Sequence, residues 1–202
     1  MNVPFAPVES SPPNPSASPP DEAIIQQWIN ESRDGSEDAF ARIVETYAGK
    51  LQSVLYRMLL DWEEARDVAQ EVFIRAHRAL PRYRPDGKFQ SWLFQIGVRV
   101  ALDAIRGRNR RPKPAPDSEG QGSERGAEDR SVARNEITAA VENAVATLPP
   151  EQRAAFILSE YEGFGNREIA EMTEASVKSV EMHLYRARQA LREKLKHLLD
   201  PQ

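Results

Sequence analysis

Aromatic and cationic side chains meet in one stretch of the chain, where together they could bind nucleic acid. Phe89 and Trp92 open the segment FQSWLFQIGVRVALDAIRGRNRR, and its positive side chains are Arg99, Arg106, Arg108, Arg110 and Arg111. Aromatic rings stack on unpaired bases, and guanidinium groups neutralise phosphates. The pattern favours a surface for unpaired nucleic acid, although an ordinary helix with core aromatics and solvated arginines would show it too.

A second candidate site lies near the C-terminus. The segments NREIAEM, TEAS and VKSVEMHLYRARQALREKLKHLL predict a short helix, a turn and a longer helix, which is the helix-turn-helix order. Ile169, Ala170, Val180 and Leu184 would join the two helices, and Ser176 would cap the second. The side chains left for base edges and phosphates are Ser176, Lys178, Ser179, Glu181, Met182, Tyr185, Arg186 and Arg188. A plain helical hairpin remains the alternative.

A third candidate surface lies on the predicted helix WEEARDVAQEVFIRAHRAL. Its apolar residues recur at helical spacing and predict a core face made of Trp62, Ala65, Val68, Ala69, Val72, Phe73, Ala76, Ala79 and Leu80. The opposite stripe consists of Asp67, Gln70, Glu71, Ile74 and Arg78. A purely solvated stripe has no use for an isoleucine in its middle, so this stripe is interpreted as a docking surface for another protein.

Composition narrows the classes of function. The 202 residues contain no cysteine, which favours a reducing cytoplasm, and the net charge of −4 does not prevent a local basic patch. No apolar run approaches the ~20 residues of a membrane span, and no basic segment followed by an apolar one opens the chain. Glu63, Asp67 and Glu71 share a helix face, but a carboxylate metal site would also need Glu-x-x-His pairs. We therefore expect a cytoplasmic protein that is not an enzyme and holds no cofactor or metal.

The elements that position these sites predict an all-α fold with two small helical domains. Residues 1–20 include seven prolines and are expected to be a disordered tail. Residues 21–111 are predicted to form the first domain. Its first helix would cover DEAIIQQWINES, where Ile24, Ile25, Trp28 and Ile29 share one side, and its second would cover EDAFARIVETYAGKLQSVLYRMLLD, which could bend near Gly49. Residues 112–131 are rich in Pro, Gly, Ser and charge and predict a flexible linker.

The second domain is predicted over residues 132–202. Its first helix would cover VARNEITAAVENAVATL and end at Pro149 and Pro150. The side chains that would face the core are those of Ile137, Val141, Ala144, Val145 and Leu148. The helix EQRAAFILSEYEGF would follow and stop at Gly163. The three histidines, His77, His183 and His197, lack metal-ligand spacing and are interpreted as surface or groove residues.

Taken in order, these segments resemble the signature regions of the sigma-70 superfamily of RNA polymerase sigma factors, and most of all the two-domain extracytoplasmic-function (ECF, group IV) subfamily. The resemblance rests on DVAQEVFIRAHRAL, on FQSWLFQIGVRVALDAIRGRNRR, on LPPEQRAAFILSEYEGFGNREIAEM and on SVKSVEMHLYRARQALREKL. It runs from about Asp34 to Leu198 without the linker. It implies that the first domain is a sigma region 2 bundle and the second a sigma region 4 helix-turn-helix.

The resemblance also implies partners and roles. The stripe Asp67, Gln70, Glu71, Ile74 and Arg78 would bind the clamp helices of the polymerase β′ subunit, and region 4 would lie at the β flap. The minus-ten promoter element would be melted and held by Phe89, Trp92, Gln95, Arg99, Arg106, Arg108, Arg110 and Arg111. The helix-turn-helix would read the minus-thirty-five element, and the acidic linker would follow the RNA exit path. An anti-sigma factor is a further implied partner.

The sequence departs from the family pattern at three places. Gly97, Val98 and Arg99 stand where WLxxIARN has Ala, Arg and Asn, so the asparagine that reads a flipped base is missing. Glu181 stands where the family often has lysine and could accept from a cytosine amino group. Gly165 replaces a frequent serine cap.

The alternative function is a stand-alone helix-turn-helix regulator that binds duplex DNA without polymerase.

Overall fold

The structure, a computed structural model, describes residues 20–84, 87–110 and 131–196. Within these ranges the chain is all-α, as predicted, with no strand. The helices are α1 (Glu22–Arg33), α2 (Glu37–Leu59), α3 (Trp62–Ala79), α4 (Phe89–Arg110), α5 (Ser131–Ala146), α6 (Pro150–Glu160), α7 (Asn166–Thr173) and α8 (Val177–Lys194). A 3-10 turn (Leu80–Arg82) follows α3. The predicted tail 1–20, apart from residue 20, and the predicted linker, apart from residue 131, lie outside the described residues.

Polar residues start the first three helices. The carboxylate of Asp21 accepts from the Ala23 N–H at 3.3 Å, the Ser36 hydroxyl accepts from the Ala39 N–H at 3.2 Å, and Asp61 accepts from the Glu64 N–H at 2.9 Å. Each bond satisfies an amide that has no partner within its helix, and acidic first turns favour the helix dipole. Caps therefore fix where α1, α2 and α3 begin.

The first four helices pack around one apolar core. Most residues on the apolar faces of α2 and α3 are buried, among them Ile43, Tyr47, Leu51, Val54, Leu55, Val68, Val72, Phe73 and Ala76, whereas Phe40, Val44 and Ala79 are half-buried. α2 runs through Gly49 without interruption, and the Ser53 hydroxyl donates to the Gly49 carbonyl at 2.8 Å. This core holds α3 and α4 side by side, and their outer faces carry two of the three candidate sites.

Three apolar residues expected to be inside are outside. Trp62 is 51% exposed, Ile24 is 43% exposed and Ile137 is 54% exposed. Trp62 is the first residue of α3 and packs edge-to-face with Tyr56, with 5.3 Å between the ring centroids. Ile24 lies in the first turn of α1 and Ile137 in the first half of α5. The periodicity of a helix places such residues on the correct face but does not show whether a neighbour reaches that far.

Helices α5 to α8 form the C-terminal half. Its buried residues include Ala144 and Val145 of α5, Leu148 just after that helix, and the predicted contacts between α7 and α8, Ile169, Ala170, Val180 and Leu184. Pro150 is the first residue of α6, where the amide that proline lacks would have no helical partner. The short α7, a tight turn and the longer α8 have the order and lengths expected of a helix-turn-helix.

The two halves pack against each other through α4 on α7 and through α2 and α4 on α6. This contact was not predicted from the sequence. Its apolar part includes Phe94 and Phe164, whose ring centroids are 5.7 Å apart, and its polar part is a row of acids facing a row of bases. No helix within the described residues is long and apolar enough to cross a membrane.

Candidate nucleic-acid and protein interfaces

The outer face of α3 carries the stripe formed by Asp67, Gln70, Glu71, Ile74 and Arg78. Asp67 and Arg78 are exposed, Ile74 is 46% exposed, and Gln70 and Glu71 are half-buried. Glu71 accepts from Arg75 at 2.7 Å one turn along the helix. An ion pair this exposed is worth only ~0.3–0.5 kcal/mol, so Glu71 can exchange Arg75 for another cation at little cost. The stripe offers an apolar centre with acids beside it.

Phe89 requires a correction, because it is fully buried and cannot stack on a base. Its ring lies between Tyr47, Tyr83 and Trp92, at centroid distances of 5.6, 5.5 and 5.4 Å. Its amide donates to Glu22 at 2.9 Å, which ties the start of α4 to α1. The aromatic that opens α4 therefore packs in the core and orients its neighbours.

Trp92 is half-buried, so part of its side chain remains accessible. Its ring tilts against Tyr83 at a centroid distance of 4.7 Å. Tyr83 belongs to the loop before α4 and was missed in the sequence analysis, which interpreted PRYRPDGK only as punctuation. A tyrosine among prolines and arginines was the signal that could have found it. Tyr83 and Phe89 fix the plane of the Trp92 indole, as a stacking platform requires.

Ser91, Gln95 and Arg99 recur at four-residue spacing along one side of α4, and we call them the α4 edge. Each bonds to the C-terminal half: Ser91 donates to the Glu168 carboxylate at 2.9 Å, and Gln95 and Arg99 donate to the Glu171 carbonyl at 3.0 and 3.2 Å. Arg99 also lies 3.2 Å from the carboxylate of Glu174. The two predicted DNA contacts Gln95 and Arg99 thus have intramolecular partners.

The arginines at the end of α4 divide into two groups. Arg106 is exposed and lies 3.6 Å from Asp103 and 3.9 Å from Glu151. Arg108 lies 3.0 Å from Glu64 and donates to the Leu59 carbonyl at 3.3 Å, so it also connects α4 to the corner between α2 and α3. The side chain of Arg110 and the whole of Arg111 lie outside the described residues.

Packing explains why Gly97 and Val98 depart from the family pattern. A Cβ on Gly97 would lie 3.0 Å from Leu51 Cδ1 and 3.6 Å from Val72, so α4 approaches α2 and α3 closely at this point. Val98 is buried, and a charged arginine at its position would lose its hydration there. These two residues serve the core, whereas Arg99 lies on the α4 edge.

The start of α8 presents most of the predicted duplex contacts to solvent. Lys178, Glu181 and Arg186 are exposed, Met182 is 45% exposed and Tyr185 is 62% exposed. Ser176 caps α8 by accepting from the Ser179 amide at 3.1 Å, and the Ser179 hydroxyl lies 3.3 Å from His183. These two serines therefore bond within the helix.

In the C-terminal half, Arg188 and Gly165 each bond to a nearby glutamate. Arg188 donates through Nε and Nη2 to Glu160 at 3.3 and 2.6 Å, which makes it less available to phosphate than Arg186. Gly165 has no side chain to cap α7, but Glu168 accepts from the Gly165 amide at 3.0 Å and forms half of a capping box. The missing serine cap is thus partly replaced.

Comparisons with known proteins match both halves of the chain. Residues 43–111 match Sigma-70 region 2, and residues 138–191 match Sigma-70 region 4. RNA polymerase sigma-H factor of Pseudomonas aeruginosa is 35% identical over 186 residues, which are 86% of this chain and 95% of that protein. The chain belongs to the extracytoplasmic-function sigma factors of the sigma-70 family. The ECF sigma factor SigW of Bacillus subtilis is 30% identical over 88% of this chain and all of its own length.

Solved structures share the fold of this ECF sigma factor. CnrH in complex with the cytosolic domain of CnrY superposes with a TM-score of 0.62 at 26% identity, over 86% of this chain and 97% of that one. The sigma factor RpoE in complex with the anti-sigma factor NepR from Bartonella quintana has a TM-score of 0.61 at 19% identity, over 78% and 96%. Because both family regions match in order, the chain is a sigma factor, and a stand-alone regulator is not favoured.

Proposed function

We propose that this sigma factor binds core RNA polymerase through the α3 stripe and captures promoter DNA through two separate surfaces. The observation that carries the proposal is the exposed Ile74 amid the acids Asp67 and Glu71, on the helix that matches region 2. An apolar centre flanked by carboxylates fits a partner whose surface combines an apolar groove with basic side chains. The polymerase β′ clamp helices would be that partner, and region 4 would bind the β flap.

The minus-ten contact is assigned to Trp92 together with Gln95, Arg99 and Arg106. Trp92 offers a ring held in place by its neighbours, and base stacking on such a ring is worth ~1–3 kcal/mol. The guanidinium groups would neutralise the adjacent phosphates. Arg108, Arg110 and Arg111 would extend this contact along the backbone, whereas buried Phe89 acts only by orienting Trp92.

The minus-thirty-five contact is assigned to the exposed start of α8. Lys178, Glu181 and Met182 face outward on its first turns, and Tyr185 and Arg186 follow on the next turn. A helix N-terminus with this mixture of side chains fits the major groove, where Glu181 would accept from a cytosine amino group. Ser176 would hold the helix start, and Arg188 would contribute after leaving Glu160.

The chain itself would perform no covalent chemistry, and it would act in the cytoplasm together with polymerase and under the control of an anti-sigma factor. Catalysis would belong to the polymerase. A direct test is DNA retardation with and without core enzyme. The proposal expects retention of promoter DNA only when core is present, whereas strong, sequence-specific retention of duplex DNA by the chain alone would favour the regulator hypothesis.

A further inference from the structure

Helix α1 holds both ends of the loop between α3 and α4, the loop that carries Tyr83. At the α3 end, Arg33 donates through Nε to the Leu80 carbonyl at 3.0 Å and through Nη2 to the Tyr83 carbonyl. At the α4 end, the Glu22 carboxylate accepts from the Phe89 amide at 2.9 Å. These contacts join residues that are 47 to 67 positions apart, so they fix the loop to a distant part of the chain.

Each contact places the charge that the neighbouring helix end favours. The first amides and the last carbonyls of a helix have no partner inside it, so an anion stabilises its start and a cation stabilises its end. Helix α4 has no acid of its own in the first turn, and Glu22 of α1 supplies one. Arg33 supplies a cation beside the carbonyls that follow α3. Helix α1 therefore stabilises both helix ends that border the loop.

The distance between the two contacts is set by α1 itself. Glu22 and Arg33 are the first and last of its 12 residues, and a helix of that length is ~18 Å long. Ile25 and Ile29, which lie between them, are fully buried and hold α1 on the core. Arg33 Nη1 also lies 3.4 Å from Asn30 Oδ1, which helps to orient the guanidinium group. Helix α1 is thus a spacer of fixed length between the end of α3 and the start of α4.

The loop matters for function because its tyrosine supports Trp92. The Trp92 ring lies 4.7 Å from the ring of Tyr83 and 5.4 Å from the ring of Phe89, measured between centroids. A shift of the loop backbone or of the start of α4 would therefore change the orientation of the indole. We propose that Arg33 and Glu22 are positioning residues for the capture of the minus-ten strand, acting through Trp92 rather than on the DNA. This inference rests on the proposed function of Trp92.

The positioning role is separable from the other proposed surfaces of the chain. Arg33 is exposed and Glu22 is half-buried, so shortening either side chain should leave the apolar core intact. Their bonds go to the loop backbone, to Asn30 and to the Phe89 amide, not to the α3 stripe or to the exposed start of α8. The match to Sigma-70 region 2 begins at residue 43, after α1 has ended. Loss of either contact should therefore impair strand capture but leave binding to core polymerase unchanged.

A double-mutant cycle with Trp92 tests the role of Arg33 in the holoenzyme. The probe is the non-template strand of a promoter selected by run-off transcription, and its affinity is measured by titration. We expect Arg33→Gln, which is too short to reach both carbonyls, to weaken strand binding about fivefold or more in the otherwise unchanged chain. In the Trp92→Ala chain the same change should cost less than about twofold, because residues that act through one side chain are not additive. Arg42→Gln, which removes an exposed arginine from α2, is the matched control.

The cycle separates failure of the positioning role from failure of the proposed function. If Arg33→Gln has the same effect with and without the Trp92 ring, or no effect in either chain, the positioning role is wrong. A parallel loss of affinity for labelled core would also refute it, since the change would then lie in the fold of the first domain. If Trp92→Ala by itself leaves strand binding unchanged, the proposed function of Trp92 fails instead, and the inference fails with it.

Glu22 allows an independent test with a conservative variant. Glu22→Gln keeps an oxygen that can accept from the Phe89 amide, whereas Glu22→Ala removes it. We expect Glu22→Ala to slow open-complex formation about fivefold and Glu22→Gln to slow it about twofold, since only the charge is lost. Permanganate reactivity of unpaired thymines measures the rate, and Glu45→Ala, which removes an exposed acid from α2, is the control. Equal slowing by the two Glu22 variants, or no slowing by Glu22→Ala, would refute the role of this contact.

Discussion

The ring of Trp92 rests on the ring of Tyr83, with 4.7 Å between centroids and 50° between planes. Tyr83 is itself held edge-on by buried Phe89 at 5.5 Å. The aromatic that is proposed to receive a base is thus fixed by a loop residue, which is itself held by the core. This support explains how a half-buried indole can act as a rigid platform, since a free side chain would lose rotamer entropy on binding.

Glu71→Lys should weaken binding to core polymerase at least about tenfold, which is ~1.4 kcal/mol, because it places a cation in the acidic part of the α3 stripe. Helix α3 should remain folded, since the lost ion pair with Arg75 is exposed. Titration of labelled core measures the affinity, and Glu45→Lys, an exposed charge reversal on α2, is the control. Unchanged affinity in Glu71→Lys would remove the stripe from the interface.

Arg186→Ala should lower the salt dependence of promoter binding by the holoenzyme more than Arg188→Ala does. One lost phosphate contact reduces the slope of log K against log salt by about 0.9. Arg188 already bonds to Glu160, so its removal should change the slope less. Binding titrations at several salt concentrations give both slopes. If the larger change came from Arg188→Ala, Glu160 would not compete with DNA.

Leu60→Gly should stabilise the fold by ~0.5–1 kcal/mol. Leu60 has a φ of 61° at the end of α2 and is 46% exposed, so its backbone is strained and its side chain gains little from burial. Glycine adopts this conformation freely and commonly ends helices. Urea unfolding measures the change, and Leu60→Ala, which keeps the strain, should give no gain. Equal stabilisation by the two variants would show that backbone strain is not the cause.

The free energy of unfolding should fall as pH rises from about 10 to 12. Burial, and then the nearby charges of Glu22 and Tyr83, raise the pKa of Tyr47 from 10.0 to about 12. The unfolded chain loses this proton near pH 10 while the folded chain keeps it, so the stabilisation is present below pH 10 and is lost as pH rises toward 12. Tyr47→Phe should remove that part of the decline, up to ~2–3 kcal/mol. Urea unfolding at several pH values measures this decline in the free energy of unfolding. Tyr56→Phe is the control, because Tyr56 is 40% exposed. An unchanged decline in Tyr47→Phe would contradict the assignment to Tyr47.

Much of the fold could be predicted from local patterns, because the spacing of apolar residues and the capping residues both act within one helix. Buried faces, the Ser176 cap and the helix-turn-helix contacts Ile169 and Val180 were predictable in this way. Trp62 and Phe89 were not, since burial depends on whether another element reaches the residue. An aromatic residue that opens a helix gives the same sequence pattern whether it is exposed, as Trp62 is, or buried, as Phe89 is.

The contact between α4 and α7 could not be predicted from the sequence, and the reason is physical. Its partners, Arg99 and Glu174 for example, are separated by 75 positions, and each one alone looks like a solvated charge. No periodicity connects two surface charges on different helices. The role of Gln95 and Arg99 as DNA contacts stays a prediction, and the intramolecular partners of these two residues had to come from the structure.

The central claim is that this chain gives core RNA polymerase its promoter specificity. Run-off transcription with core enzyme on a pool of promoters, randomised at both elements, tests it most directly. The account predicts transcripts only when the chain is present, from templates that converge on two elements, with Trp92→Ala reducing transcription while duplex minus-thirty-five binding by the holoenzyme persists. Core that transcribes no better with the chain than without it, or templates that converge on no second element, would contradict the account.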